Sequence, residues 1–222
     1  MLKIIVYTGL SLKFDEAKEI LDSDDNLEVI YKNPIKRGDL NQALKEHPDI
    51  IAIIDGVFHQ NSAVGHREIL EVIKKDIKVY GASSMGALRA SELDSLGMTG
   101  VGYCYNQYAN GNITSDDDVA VMLDKDTLEA LSVPLISMNY VFKNAVTENI
   151  ISQSDMDKLV KITKDTYYPQ RNYANTLSKS NLDNDKKEKL IDFIRTSPDI
   201  KKEDAKELLH KIKEDIKKQI NT

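Results

Sequence analysis

Lys78-Val79-Tyr80-Gly81-Ala82-Ser83-Ser84-Met85-Gly86-Ala87-Leu88-Arg89 passes from β-forming residues through a Gly/Ser turn into strong helix formers. A serine at such a junction is expected to have its hydroxyl exposed at the rim of a sheet. It would face backbone N–H groups that lack an intrahelical partner and can hold a developing oxyanion. The spacing has one residue more than a G-x-S-x-G elbow, so that motif is not matched literally. Gly81 permits a tight exit from the strand, and Gly86, without a Cβ, allows a close approach to the first helical turn. A phosphate cradle would use the same features, and so would an ordinary N-cap serine at Ser83 or Ser84.

Serine is a poor nucleophile without an adjacent base. The candidates at other strand ends are Lys36 and Arg37 after the second predicted strand, and Asp55, His59 and His66 after the third. A lysine serves if desolvation or a neighbouring cation makes its neutral amine accessible, and Arg37 next to Lys36 supplies a cation. His66, at the start of a helical pattern, reads as a packing or carboxylate-binding imidazole before it reads as a base. Asp55-Gly56 reads first as a turn. Arg89 and Glu92 are spaced for an i,i+3 pair, with an anion clamp at Arg89 as the lesser alternative. Asp116-Asp117-Asp118 lacks the spacing of a calcium loop and is expected to stabilise a helix start, so no metal is expected.

The elements that must position these residues alternate. Segments 2–7, 27–31, 49–54 and 77–80 read as strands, and helical patterns lie between them at about 14–21, 40–46, 63–74 and 85–96. This predicts an α/β fold: a parallel sheet covered by helices, with ligands at the carboxyl ends of its strands. Beyond residue 115 the apolar spacing becomes three and four, which predicts a helical half. The expected division is an α/β domain over 1–123 and a helical domain over 124–222. Ser154 reads as the cap of one helix, and Ser197-Pro198-Asp199 as the break before the last. That last helix carries Leu208, Leu209, Ile212, Ile216 and Ile220 on one stripe and is expected to pack on the body, with a partner-binding helix as the lesser alternative.

Composition narrows the function classes. The 222 residues are 41% apolar with a net charge of -6, which supports a sizeable core and argues against general nucleic-acid affinity. The single cysteine, Cys104, excludes an internal disulfide or a Cys-rich zinc site and reads as a small buried apolar group. No run is long and apolar enough for a membrane helix, and the expected location is cytoplasmic.

Several words of the sequence resemble the TfuA family: Arg37-Gly38-Asp39-Leu40, Ile54-Asp55-Gly56-Val57-Phe58, His66-Arg67-Glu68-Ile69-Leu70, the long run Gly81 to Leu93, Gly97 to Gly102, and Asp116 to Val121. They fall in order over about residues 4–123, and the serine-turn word is specific. Tyr167-Tyr168-Pro169-Gln170-Arg171 resembles a piece of the family's helical half. Arg67 departs from the pattern, since many relatives carry lysine there, and it cannot be a base.

The resemblance implies a companion of YcaO proteins in ATP-dependent thioamidation of peptide backbones. In the family picture it hydrolyses the thiocarboxylate of a ThiS-like sulfur carrier protein and helps YcaO engage its substrate. That substrate is methyl-coenzyme M reductase in methanogens, or a precursor in ribosomal natural-product (RiPP) biosynthesis. The family also implies a Ser/Lys pair. Ser84 falls on the serine of the long word, with Ser83 as its neighbour, and Lys36 is the expected lysine by position. Met85 and Gly86 are then the expected oxyanion amides, and Arg37 and Arg89 the charge-offsetting cations. Asp55, Gly56, His66 and Ser83 support or line the groove, and no cofactor is implied. Two other readings fit the residues: a non-catalytic adaptor for YcaO and the carrier, and a phosphate binder, which lacks a glycine-rich signature.

Overall fold

The computed structural model describes residues 1–22, 26–58, 62–122 and 130–220. His59 and the expected boundary at 123/124 lie outside the described residues. The chain forms two compact units, Met1–Thr114 with Ile200–Thr222, and Ser115–Asp199.

The first unit is α/β. Its strands are β1 (Leu2–Tyr7), β2 (Leu27–Lys32), β3 (Ile50–Ile53), β4 (Lys78–Gly81) and β5 (Met98–Gly100). They form one parallel sheet in the order β2-β1-β3-β4-β5. The three-residue β5 escapes the sequence pattern because Met98-Thr99-Gly100 is too short for an alternation to register. β1 and β3 are near-continuous aliphatic runs because both of their faces are covered: Ile4, Ile5, Val6, Ile51, Ala52 and Ile53 are all fully buried.

The helices are α1 (Phe14–Leu21), α2 (Asp39–Ala43), α3 (His66–Ile73), α4 (Met85–Leu93), α5 (Gly102–Ala109) and, far along the chain, α10 (Ile200–Ile220). On one face of the sheet, Ile4, Val6, Ala52, Ile54 and Tyr80 share a core with Ala17 and Leu21 of α1. Ala205, Leu208, Leu209, Ile212 and Ile216 of α10 complete that core. α3 and α4 pack on β4.

The expected division at 123/124 is therefore corrected: the apolar stripe of α10 belongs to the sheet, not to the helical half. Polar contacts fix it there. The Tyr80 hydroxyl donates to Asp215 (3.1 Å), Lys213 donates to the Ile20 carbonyl (2.7 Å), and Lys202 pairs with Glu16. Asp204, 1% exposed, accepts the N–H groups of Tyr103 (2.7 Å) and Cys104 (2.6 Å) at the start of α5. Burial pushes its carboxyl up to about 6.

The second unit contains α6 (Leu135–Thr147), α7 (Gln153–Asp165), α8 (Tyr173–Lys179) and α9 (Asn184–Thr196) around Met138, Phe142, Ala145, Leu159, Leu177 and Leu190. Ser152, not Ser154, caps α7, accepting from the Asp155 N–H at 3.2 Å. The helix begins earlier than expected because Ser152 and Asp155 form a reciprocal capping box. Asp116–Asp118 is a 3₁₀ turn. Its Asp117 pairs with Arg171, 3% exposed, at 2.6 Å, and Asp118 accepts the Ser115 N–H at 3.2 Å. Asp117 thus anchors a buried guanidinium, which also donates to the Thr163 and Thr166 carbonyls (3.2 and 2.9 Å) and to the Asp117 carbonyl (2.8 Å).

Candidate active site

In a sheet of this order the strand sequence reverses between β1 and β3, and the crevice outside their carboxyl ends is the usual ligand position. Here the chain fills that crevice itself. Asp55, 1% exposed at the end of β3, accepts the N–H groups of Gly9, Leu10 and Ser11 at 3.1, 2.9 and 2.8 Å and the Ser11 hydroxyl at 2.6 Å. These amides are an anion cradle already holding a carboxylate. Asp55 is a clasp between two loops, not the turn former its Asp-Gly context suggests.

The exit of β2 crosses above. Pro34 lies against Gly9, Ile35 forms a parallel bridge with Gly56, and Ile35 and Val57 exchange bonds with that segment (Ile35 N–H to the Asp55 carbonyl and Val57 N–H to the Ile35 carbonyl, both 2.9 Å). The Gly9, Leu10 and Ser11 amides at the strand reversal are therefore already taken and are not vacant for a free phosphate.

The serine turn lies one strand further, between β4 and α4. Gly86 sits so close to β3 that a Cβ there would overlap the Ile53 carbonyl, and its N–H donates to the Ile54 carbonyl at 3.2 Å. A Cβ on Gly81 would in turn overlap the Gly86 carbonyl. The two glycines let the first turn of α4 sink into the sheet. The serines go with it: Ser84 is 3% exposed and Ser83 fully buried, so the expected exposed hydroxyl is corrected to an enclosed one.

The backbone donors of the turn divide unevenly. The Ser84 N–H folds back on the Ala82 carbonyl (2.8 Å), the Ala87 N–H takes the same carbonyl (3.1 Å), and the Gly86 N–H is held by Ile54. The expected pair of oxyanion amides is thereby reduced. Gly86 is engaged, whereas the Met85 N–H has no hydrogen bond among the described residues.

Ser84 occupies the N-cap position, but its side chain makes no capping bond. The ordinary structural account of a serine here is therefore not what the side chain does. Ser83 has φ +67°, in the left-handed region, and its buried Oγ has no hydrogen-bond partner among the described residues. The first costs about 1 kcal/mol and the second about 1–3 kcal/mol, both at one residue.

Charged groups surround the loop that leads into α3. Arg37 and Arg89 donate through Nε to consecutive carbonyls, Ala63 (3.4 Å) and Val64 (3.0 Å). Glu68 accepts the N–H groups of Gly38 (2.6 Å) and Gly65 (3.1 Å), joining the β2 exit to the start of α3. Glu92 accepts Arg89 Nη1 at 2.6 Å and lies 2.8 Å from His66 Nε2. Arg89 thus makes the plain i,i+3 pair, and His66 the carboxylate contact. Nearby, the Tyr7 hydroxyl donates to the Asp39 carbonyl (3.3 Å). Burial, reinforced by the Asp39, Glu46 and Glu68 carboxylates, pushes its pKa up. Glu68 and Glu92 are not among the expected site residues. Their signals are faint: an acid three residues after Gly65, and an acid three after Arg89.

Lys36 is exposed, and its backbone N–H donates to the Asp39 carboxylate at 3.0 Å. Among the described residues no hydrogen bond joins it to Ser84. What relates the two is Gly56: a Cβ there would stand 3.0 Å from Ile35 Cγ2 and 2.7 Å from Met85 Cγ, the neighbours of Lys36 and Ser84 in sequence. No cluster of three His, Cys, Asp or Glu side chains that could hold a metal occurs among the described residues, and no described helix is long and apolar enough to cross a membrane.

No curated protein matches the chain. The family of TfuA-like proteins matches residues 55–172, more than half of the sequence. That span opens at the Asp55 clasp, contains Gly56, the serine turn and the Arg89–Glu92–His66 group, and closes just past the buried Arg171; Lys36 and Arg37 precede it. On that match the chain belongs to the TfuA-like protein family.

Proposed function

We propose that the protein is a TfuA-type accessory hydrolase that releases sulfide from the C-terminal thiocarboxylate of a ThiS-like carrier, for a YcaO partner that thioamidates a peptide backbone in the cytoplasm. The observation that carries this reading is the idle chemistry of the turn: Ser84 caps nothing, and the Met85 N–H beside it is unengaged among the described residues.

In this scheme Ser84 Oγ attacks the thiocarboxylate carbon while Lys36, as a neutral amine, takes the hydroxyl proton. The Met85 amide receives the oxyanion. Collapse breaks the C–S bond, and sulfide leaves with the proton that Lys36 returns. Water then hydrolyses the acyl-serine, releasing a carrier carboxylate and restoring Ser84. Arg37 supplies positive charge for the anionic substrate. Arg89 acts from behind, because its guanidinium is already held by Val64 and Glu92.

A second reading has its own support. Ser84 is only 3% exposed and Lys36 lies at the surface without bonding to it, as suits an adaptor that binds YcaO and the carrier while YcaO does the chemistry. Sulfide release from purified carrier thiocarboxylate separates the two. With the parent chain and no YcaO, hydrolysis that Ser84→Ala abolishes and Lys36→Ala lowers at least about 10²-fold supports the enzyme. Thioamidation that is undiminished in the Ser84→Ala variant supports the adaptor.

A further inference from the structure

We infer that the Ser83 hydroxyl is the second oxyanion donor of this site, acting with the Met85 N–H on the tetrahedral intermediate formed at Ser84. The inference rests on the hydrolase reading above and adds a catalytic residue to it.

An acyl-transfer site needs preorganised donors at the point where negative charge develops, and two are the usual complement. The turn offers fewer amides than its sequence suggests, because the N–H groups of Ser84, Gly86 and Ala87 are committed to the Ala82 and Ile54 carbonyls. That leaves the Met85 N–H on the helix side of Ser84 and the Ser83 N–H before it. The unengaged side-chain donor beside Ser84 is Ser83 Oγ, buried, without a partner among the described residues, and adjacent to Ser84 in the chain.

Two features show that packing does not explain this hydroxyl. Alanine would fill the same position without burying an unmatched polar atom. A glycine would carry φ +67° without strain. The chain instead keeps a serine where both simpler residues would be more stable, which is the pattern of a group held for a partner that arrives with the substrate. In the resting site the hydroxyl is shielded from water, so it need not break a hydrogen bond before donating.

The step is balanced as before: Ser83 gives a hydrogen bond and no proton. Its hydrogen lies along the developing C–O⁻ while the C–S bond is intact and returns to its resting orientation when sulfide leaves.

The test uses the full chain and purified ThiS-like carrier thiocarboxylate, with sulfide release as the rate and thermal melting as the stability. Ser83→Ala and Ser83→Gly are each expected to lower kcat by about 10²-fold, with KM changed less than about threefold, and to melt at or above the parent temperature. Full parental turnover in both Ser83 variants, with Ser84→Ala inactive, overturns the inference and leaves the Ser84 reading standing. A lowered melting temperature in both Ser83 variants shows a structural role for the hydroxyl and also overturns it. Undiminished release by Ser84→Ala overturns the hydrolase reading itself.

Discussion

Gly86 of α4 stands directly against the carbonyl of Ile53 in β3, with no room between them for a side chain. This contact fixes the depth of the serine turn. Gly86→Ala must push the first turn of α4 away from the sheet, breaking the Gly86 N–H bond to Ile54 as it does so. The expected loss is about 3 kcal/mol. Gly111→Ala makes a control, since Gly111 has φ +69° but nothing within 4 Å of where the added methyl would stand, and it should lose about 1 kcal/mol. Urea midpoints at a common m-value measure both.

Asp55 is the acceptor for three amides and a hydroxyl of the loop after β1. Asp55→Asn keeps the shape but sets an amide NH₂ or a single oxygen before donors that need a carboxylate. We expect a loss of about 3 kcal/mol, with faster hydrogen exchange at Gly9, Leu10 and Ser11. Unchanged exchange at those amides would show that the clasp does not hold the loop.

Asp204 gives the molecule a distinct pH response. Its carboxyl titrates near 6 when folded, against an ordinary value of 3.8, because of burial. Between about pH 4 and 6 the native state holds a proton that the unfolded chain has lost, so this group's stabilising contribution is full below about pH 4 and declines as pH rises through 6. The amount is about 3 kcal/mol. The stability difference between the parent and Asp204→Asn, followed by urea denaturation from pH 4 to 7, should shift over that window and be flat above it.

Arg171 organises the helical unit from its interior. The Asp117 carboxyl beside it is held below the usual range: burial raises it, but hydrogen bonds from Ser115 and Arg171 and the guanidinium charge outweigh that. Arg171→Leu leaves the Thr163, Thr166 and Asp117 carbonyls without their donor and should cost about 3 kcal/mol at neutral pH. A depressed carboxyl stabilises above its unfolded value and loses that contribution as pH falls. The gap between parent and variant should therefore narrow on acidification below pH 3.8, and the Asp117 carboxyl resonance in NMR should titrate higher in Arg171→Leu.

Much of the fold is legible in the sequence because the strands are apolar on both faces and the helices keep strict spacing. β1 and β3 declare themselves by continuous Ile, Val and Ala, and α10 by its stripe from Leu208 to Ile216. The stripe identifies a buried helix without identifying its partner, since apolar periodicity is the same whether the facing surface is nearby or far back in the chain. For the site, the serine turn is evident from its residues, whereas its depth is not. Depth depends on how Gly86 meets Ile53, a contact between elements that no local pattern encodes. The engagement of the Gly86 amide is hidden for the same reason. The Asp55 clasp is masked by its glycine neighbour, which makes a turn the simplest local account.

The strand-bearing unit closes only when a helix made after residues 115–199 comes home. On a ribosome, the face carrying Ile4, Val6, Ala52 and Tyr80 waits uncovered while residues 115–199 are synthesised, until Leu208, Leu209 and Ile212 have emerged. The intervening helices can assemble first, so the strands made before them are the part most in need of protection from aggregation.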